Sequence, residues 1–125
     1  MALNETEVYT RGQIIYLISH GKQSTYDVTR TVARFHEEAK KLEAKGLKVG
    51  CLVDLSDNIG YDSDARKVAI ESMKERSVPT AIVGISKNIA LQTVVSFMTR
   101  LAGRSEQYQF FSTREKGEDW LKSLQ

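Results

Sequence analysis

Cysteine, proline and histidine are almost missing from this chain: among 125 residues there are one cysteine, one proline and two histidines. A lone cysteine closes no internal disulfide, which suits a reducing compartment. Cys51 stands inside the apolar run VGCLVDL and reads as an inert buried thiol. With only His20 and His36 present, a Ser-His-Asp relay is poorly supplied, and neither histidine lies near a G-x-S-x-G elbow. No His/Cys/Asp cluster has ligand spacing, so no metal and no other cofactor is expected. Pro79 is isolated, and no repeat, linker or low-complexity tract divides the sequence, so residues 1–125 read as one domain. No apolar run approaches the roughly 20 residues that span a bilayer. The start, MALNETEV, lacks a cationic stretch followed by a long apolar one, and the expectation is a cytoplasmic protein. An excess of one charge is also missing: 18 Lys and Arg face 16 Asp and Glu, a net charge of +2. Cations alternate with acids throughout, so no nucleic-acid-binding face is expected.

What is present is an alternation of strand-like and helix-like segments. Glu7 to Arg11 is a short strand, and Gly12-Gln13 turns it into Ile14 to Ser19 (IIYLIS), with Gly21 as its stop. A helix capped by Ser24 or Thr25 follows. Its apolar stripe is Val28, Val32, Phe35, Ala39 and Leu42. Glu37 and Lys41 form an i, i+4 pair on its wet side, and Gly46 suits the left-handed residue after it. Val49 to Leu55, Thr80 to Ile85 and Tyr108 to Phe111 read as further strands. Helices are expected from about Ser63 to Arg76, Lys87 to Ala102 and Thr113 to Leu124, with Ser112 to Glu115 as a capping box for the last. Strands alternating with helices predict a largely parallel sheet, made mixed by the first hairpin.

Three features bear on function. A glycine-rich phosphate loop is poorly supported, because one glycine in GISKN does not converge several backbone N–H groups. The helix from Lys87 is apolar on two adjacent faces, Ala90, Val94, Phe97, Leu101 and Leu91, Val95, Met98, Ala102. That breadth predicts a wide core face, an apolar ligand groove or a dimer seam, the latter two through Leu91, Val95 and Met98. The stretch GYDSDARKVAI starts a helix with Asp62, Ser63 and Asp64 in a row. Acids and hydroxyls there cap the free N–H groups and meet the positive end of the helix dipole. Capping explains one or two of them; a docking or ligand-facing loop explains all three together with Asp57.

The order of elements and the segment DLSDNIGYDSDARKVAI resemble the STAS family, whose members include bacterial anti-sigma-factor antagonists. ISHG, VDLS, YDSDARKV, AIVGIS and GEDWLKSL stand at the family's motif positions. The branch most resembled is the SpoIIAA-like one, related in fold to lipid-binding CRAL-TRIO domains. The resemblance implies a single-domain α/β STAS-like fold with a mixed sheet, an N-terminal hairpin and about four helices, and a non-catalytic regulatory role. Asp62 falls on the family aspartate, Ser63 on its first serine and Asp64 on the phospho-acceptor, while Ala65-Arg66 replace Gly-Leu. A carboxylate carries about one charge and lacks the third oxygen of a phosphate, so the implied module works without the usual serine switch, Ser63 being the remaining phosphosite. Asp57, Asp62, Ser63, Asp64 and Arg66 are then the surface for a protein partner of the anti-sigma-factor kind. A carrier or sensor of a small apolar or lipid-like ligand is the alternative reading. By size and by Asp54 the chain is also similar to response-regulator receivers, but IIYLIS leads to His-Gly-Lys-Gln, without the acidic pair that family needs.

Overall fold

The structure, a computed structural model, describes residues 6–76 and 78–125. The expectation about the first residues therefore falls largely outside what it describes. The elements run β1 (Glu7–Arg11), β2 (Ile14–Gln23), α1 (Thr25–Ala44), β3 (Gly50–Tyr61), α2 (Ser63–Glu75), β4 (Thr80–Val83), α3 (Ile89–Leu101), β5 (Tyr108–Phe110) and α4 (Arg114–Ser123). One sheet holds the strands in chain order. β1 pairs antiparallel with β2, and every later pairing is parallel. Parallel neighbours need a crossover rather than a hairpin, and α1, α2 and α3 supply the three crossovers. This is the mixed α/β sheet with an N-terminal hairpin and four helices read from the sequence. Among the described residues no helix is long and apolar enough to cross a membrane.

Strand alternation sorts the core into two layers. Ile14, Tyr16, Leu52, Ala81 and Val83 face α4 through Leu121. Ile15, Cys51, Leu55 and Ile82 face the opposite way, toward α1 and α3, with Ala69 and Met73 of α2 packed alongside. In α1, Val28, Phe35, Ala39 and Leu42 are buried as the stripe requires, and Val32 is half-buried. Ser24 is the cap, in a capping box: its hydroxyl accepts from the Asp27 amide at 3.2 Å, and its own amide donates to the Asp27 carboxylate at 2.9 Å. Gly84 leaves β4 at φ +91°, and a Cβ there would lie 2.5 Å from the Ser56 amide nitrogen. The glycine of AIVGIS is thus fixed by both backbone conformation and close approach.

Several local expectations are corrected. Gly21 does not end β2; the strand continues to Gln23, and β3 continues through DNIGY to Tyr61 beside it. Parallel pairing carries both strands on, with register shifts between Ile18/His20 and Gly21/Lys22. Lys41 pairs with Glu38 at 2.8 Å rather than with Glu37, because Glu38 also takes the Thr10 hydroxyl and so stands on the side Lys41 reaches. The cap of α4 is Thr113, whose hydroxyl accepts from the Lys116 amide, so Ser112 and Glu115 form no capping box.

Candidate functional site

The acidic stretch divides between a strand and a helix start. Asp57 projects from β3, not from a turn, and its side chain is 69% exposed. Its Oδ2 lies 3.2 Å from Nδ1 of His20, whose Nε2 lies 2.6 Å from Glu7. Asp62 occupies the N-cap position of α2 with extended backbone, yet its side chain makes no capping hydrogen bond. Its carboxylate instead lies 3.4 Å from Lys22 Nζ. Asp64 stands in the first turn of α2, with Lys67 at 3.6 Å. Ser63 is exposed and Arg66 half-buried. Exposed pairs like these are worth only about 0–1 kcal/mol, so a partner can exchange them at little cost. Capping by a side-chain hydrogen bond therefore does not account for Asp62.

Beneath this surface, between the sheet and α1, α2 and α3, lies a cavity of about 140 Å³. Its walls are mostly apolar, with Phe35, Val53, Ala69, Met73, Val95 and Met98 among them. Most polar groups on the wall are already engaged. Thr6 donates to Gln23, Gln23 donates to the His20 carbonyl, Ser19 accepts from Asn58, and Arg76 bonds His36 and Glu43. Burial pushes the Cys51 thiol up to about 12 and the Tyr61 phenol up to about 12. Both residues line the cavity. A protonated, buried Cys51 is no nucleophile at neutral pH.

On the other sheet face, Asp54 is the best-held carboxylate. Burial acts to raise its pKa, but hydrogen bonds from Ser56 and then Arg114 hold it below the ordinary carboxylate range. Arg114 reaches it at 2.8 Å. This ion pair anchors the start of α4 to β3.

No protein-family model matches the sequence, and no curated protein matches it. Solved structures do. An uncharacterised protein of the DUF3478 family with a SpoIIAA-like fold, from Shewanella loihica PV-4, aligns at TM-score 0.71 over 97% of each chain, with 17% identity. The anti-sigma factor antagonist SpoIIAA in its unphosphorylated form aligns at TM-score 0.61, covering 95% of this chain and 96% of that one, with 10% identity. The chain has a SpoIIAA-like fold.

Within this SpoIIAA-like fold, the two apolar faces of α3 part company. Leu91, Val95 and Met98 are buried, at 6%, 3% and 2% exposure, against Leu55, Ile82 and Ile85. They cannot form a dimer seam on the surface, which corrects that expectation; Val95 and Met98 do line the cavity, while Leu91 does not. The exposed face carries Ile89, Phe97 and Leu101 instead. Sequence reasoning missed His20, Lys22 and Tyr61 as members of the site. The available signal was adjacency: Tyr61 directly precedes Asp62 in GYDSDAR. The register shifts of β3 hide which side Tyr61 faces, and only pairing brings His20 and Lys22 beside Asp57 and Asp62.

Proposed function

We propose that the chain is a non-catalytic regulatory module that docks a protein partner through the end of β3 and the start of α2, with Asp57, Asp62, Ser63, Asp64 and Arg66 as the contact residues. The observation that carries this reading is Asp62: it holds the N-cap position of α2 and caps nothing, leaving its carboxylate for another molecule. Likeness in fold to an anti-sigma factor antagonist supports a regulatory protein partner of that kind. Asp64 occupies the position of the family's phospho-acceptor, so the module docks without a serine switch. Ser63, the exposed first residue of α2, is the hydroxyl left for modification. Affinity capture with the wild type and with Asp62→Ala/Asp64→Ala tests the surface. The double variant loses the captured partner while its melting temperature falls only modestly; equal capture by both proteins removes the proposal.

A second reading has its own observation. The apolar cavity under α1, α2 and α3 fits a carrier or sensor of a small apolar ligand. Native mass spectrometry of the purified protein tests it: a reproducible mass increment lost on denaturation supports a ligand, and a bare monomer or dimer mass counts against one.

A further inference from the structure

The cavity walls carry more chemistry than apolar packing requires, and two hydroxyls there have no protein partner among the described residues. Tyr61 is the last residue of β3, packs partly buried against the cluster of Leu55, Ile82 and Val95, and lines the cavity. Its hydroxyl has no hydrogen-bond partner among the described residues, and burial alone accounts for its raised pKa. That hydroxyl is not among the polar atoms shut off from solvent, and without a protein partner it is open to whatever fills the cavity. Of the other polar side chains on the wall, Gln23, Ser19, Thr31 and Arg76 are engaged by the protein, as are Thr6 and Thr80. The Tyr108 phenol is turned to Thr80. Ser72, on the inner side of α2, is the remaining wall hydroxyl without a protein partner among the described residues.

Resting on the ligand reading above, we infer that the cavity takes a small uncharged molecule, apolar over most of its surface, whose single oxygen hydrogen-bonds the Tyr61 hydroxyl. Size sets the first limit. A cavity of about 140 Å³ is close to the roughly 150 Å³ that holds benzene in an apolar protein interior. A monocyclic molecule or a short branched chain matches that volume. Charge sets the second limit. Arg76, the one cation on the wall among the described residues, already donates to His36 and to Glu43, so an anionic ligand would be buried without a free counter-charge there. The third limit is polar: Tyr61 can donate or accept one hydrogen bond.

Phenol and toluene, equal in shape and differing in one hydroxyl, are the probes. Each is titrated into the wild type, Tyr61→Phe and Ser72→Ala, and followed through the side-chain methyl resonances of Ala69, Val95 and Met98. Phenol affinity is expected to fall about three- to tenfold in Tyr61→Phe, the range of one neutral hydrogen bond, while toluene affinity holds or rises and Ser72→Ala changes neither. Equal effects of Tyr61→Phe on both probes, or a selective loss in Ser72→Ala instead, overturn the assignment to Tyr61 and leave the cavity reading standing. Failure of both probes to shift any wild-type methyl overturns both. Wild-type protein labelled at the tyrosine Cζ gives a readout independent of any variant's folding. The Tyr61 signal moves with phenol and not with toluene, and equal movement with both counts against the hydrogen bond.

Discussion

The Nδ1 of His20 lies 3.2 Å from Oδ2 of Asp57, so the hairpin strand β2 and an exposed carboxylate of β3 share one proton-binding group. With Glu7 at the other ring nitrogen, both carboxylates are satisfied only by the imidazolium, and the hydrogen bond to Glu7 is the first cause of a raised pKa. A base raised in the fold stabilises fully below its unfolded value, about 6.5, and loses that contribution as pH rises through its folded value. His36 has the opposite sign. Burial, then Arg76, lowers its pKa, so its contribution is complete above about 6.5 and is lost as pH falls toward the folded value. Ring-proton titration by NMR is expected to place His20 above and His36 below that value. In melting experiments, His20→Gln removes the loss of stability on the alkaline side only. Coincident midpoints for the two rings would refute the assignment.

The two helix starts should respond differently to truncation. Ser24→Ala breaks a two-way capping box and is expected to cost about 0.5–2 kcal/mol. Asp62→Ala removes no capping hydrogen bond, and only the helix-dipole attraction of roughly 0.3–1 kcal/mol and the weak exposed pair with Lys22 are at stake. Urea unfolding at neutral pH separates them, and a larger loss at Asp62 would restore capping as its role.

Adjacent residues of α3 make a similar contrast. Met98→Ala opens a hole in the core and is expected to cost about 2–5 kcal/mol. Phe97, 54% exposed, should tolerate alanine within about 0.5 kcal/mol. Matching midpoints for the two variants in a denaturant series would contradict the orientation of the helix.

Gly84 is held by both backbone conformation and close neighbours. Gly84→Ala meets Ser56 and Asp54 and sits at positive φ, so the backbone strain alone is roughly 1–3 kcal/mol. A calorimetric melting temperature close to wild type would show that the turn after β4 adjusts more readily than the geometry implies.

Cys51 should be silent in the native protein. A buried thiol raised to about 12 presents almost no thiolate at pH 8. Its reaction with Ellman's reagent is expected to be slow in buffer and immediate in guanidinium chloride. Rapid native labelling would mean that the cavity wall around Cys51 opens to reagent.

Local signals were legible where the information is local. Val28, Phe35, Ala39 and Leu42 recur at helical spacing, and their burial follows from that spacing alone. Gly46 and Gly103 stand at the left-handed residues that end α1 and α3. The site was legible only in part. Asp62, Ser63 and Asp64 were placed correctly at a helix start, and Ser63 and Asp64 are exposed there. That Asp62 caps nothing was not readable, because Lys22 comes within 3.4 Å of it only through the β2–β3 ladder.

The sequence by itself determined the order and kind of the elements, because turn glycines, caps and apolar periods act within a few residues of chain. The tertiary structure decided which face of α3 turned inward, how far β2 and β3 ran past Gly21 and Leu55, and that Tyr61 reached a cavity. Those outcomes rest on contacts between segments tens of residues apart, where strand register and the fit of three helices over one sheet set each side chain's surroundings.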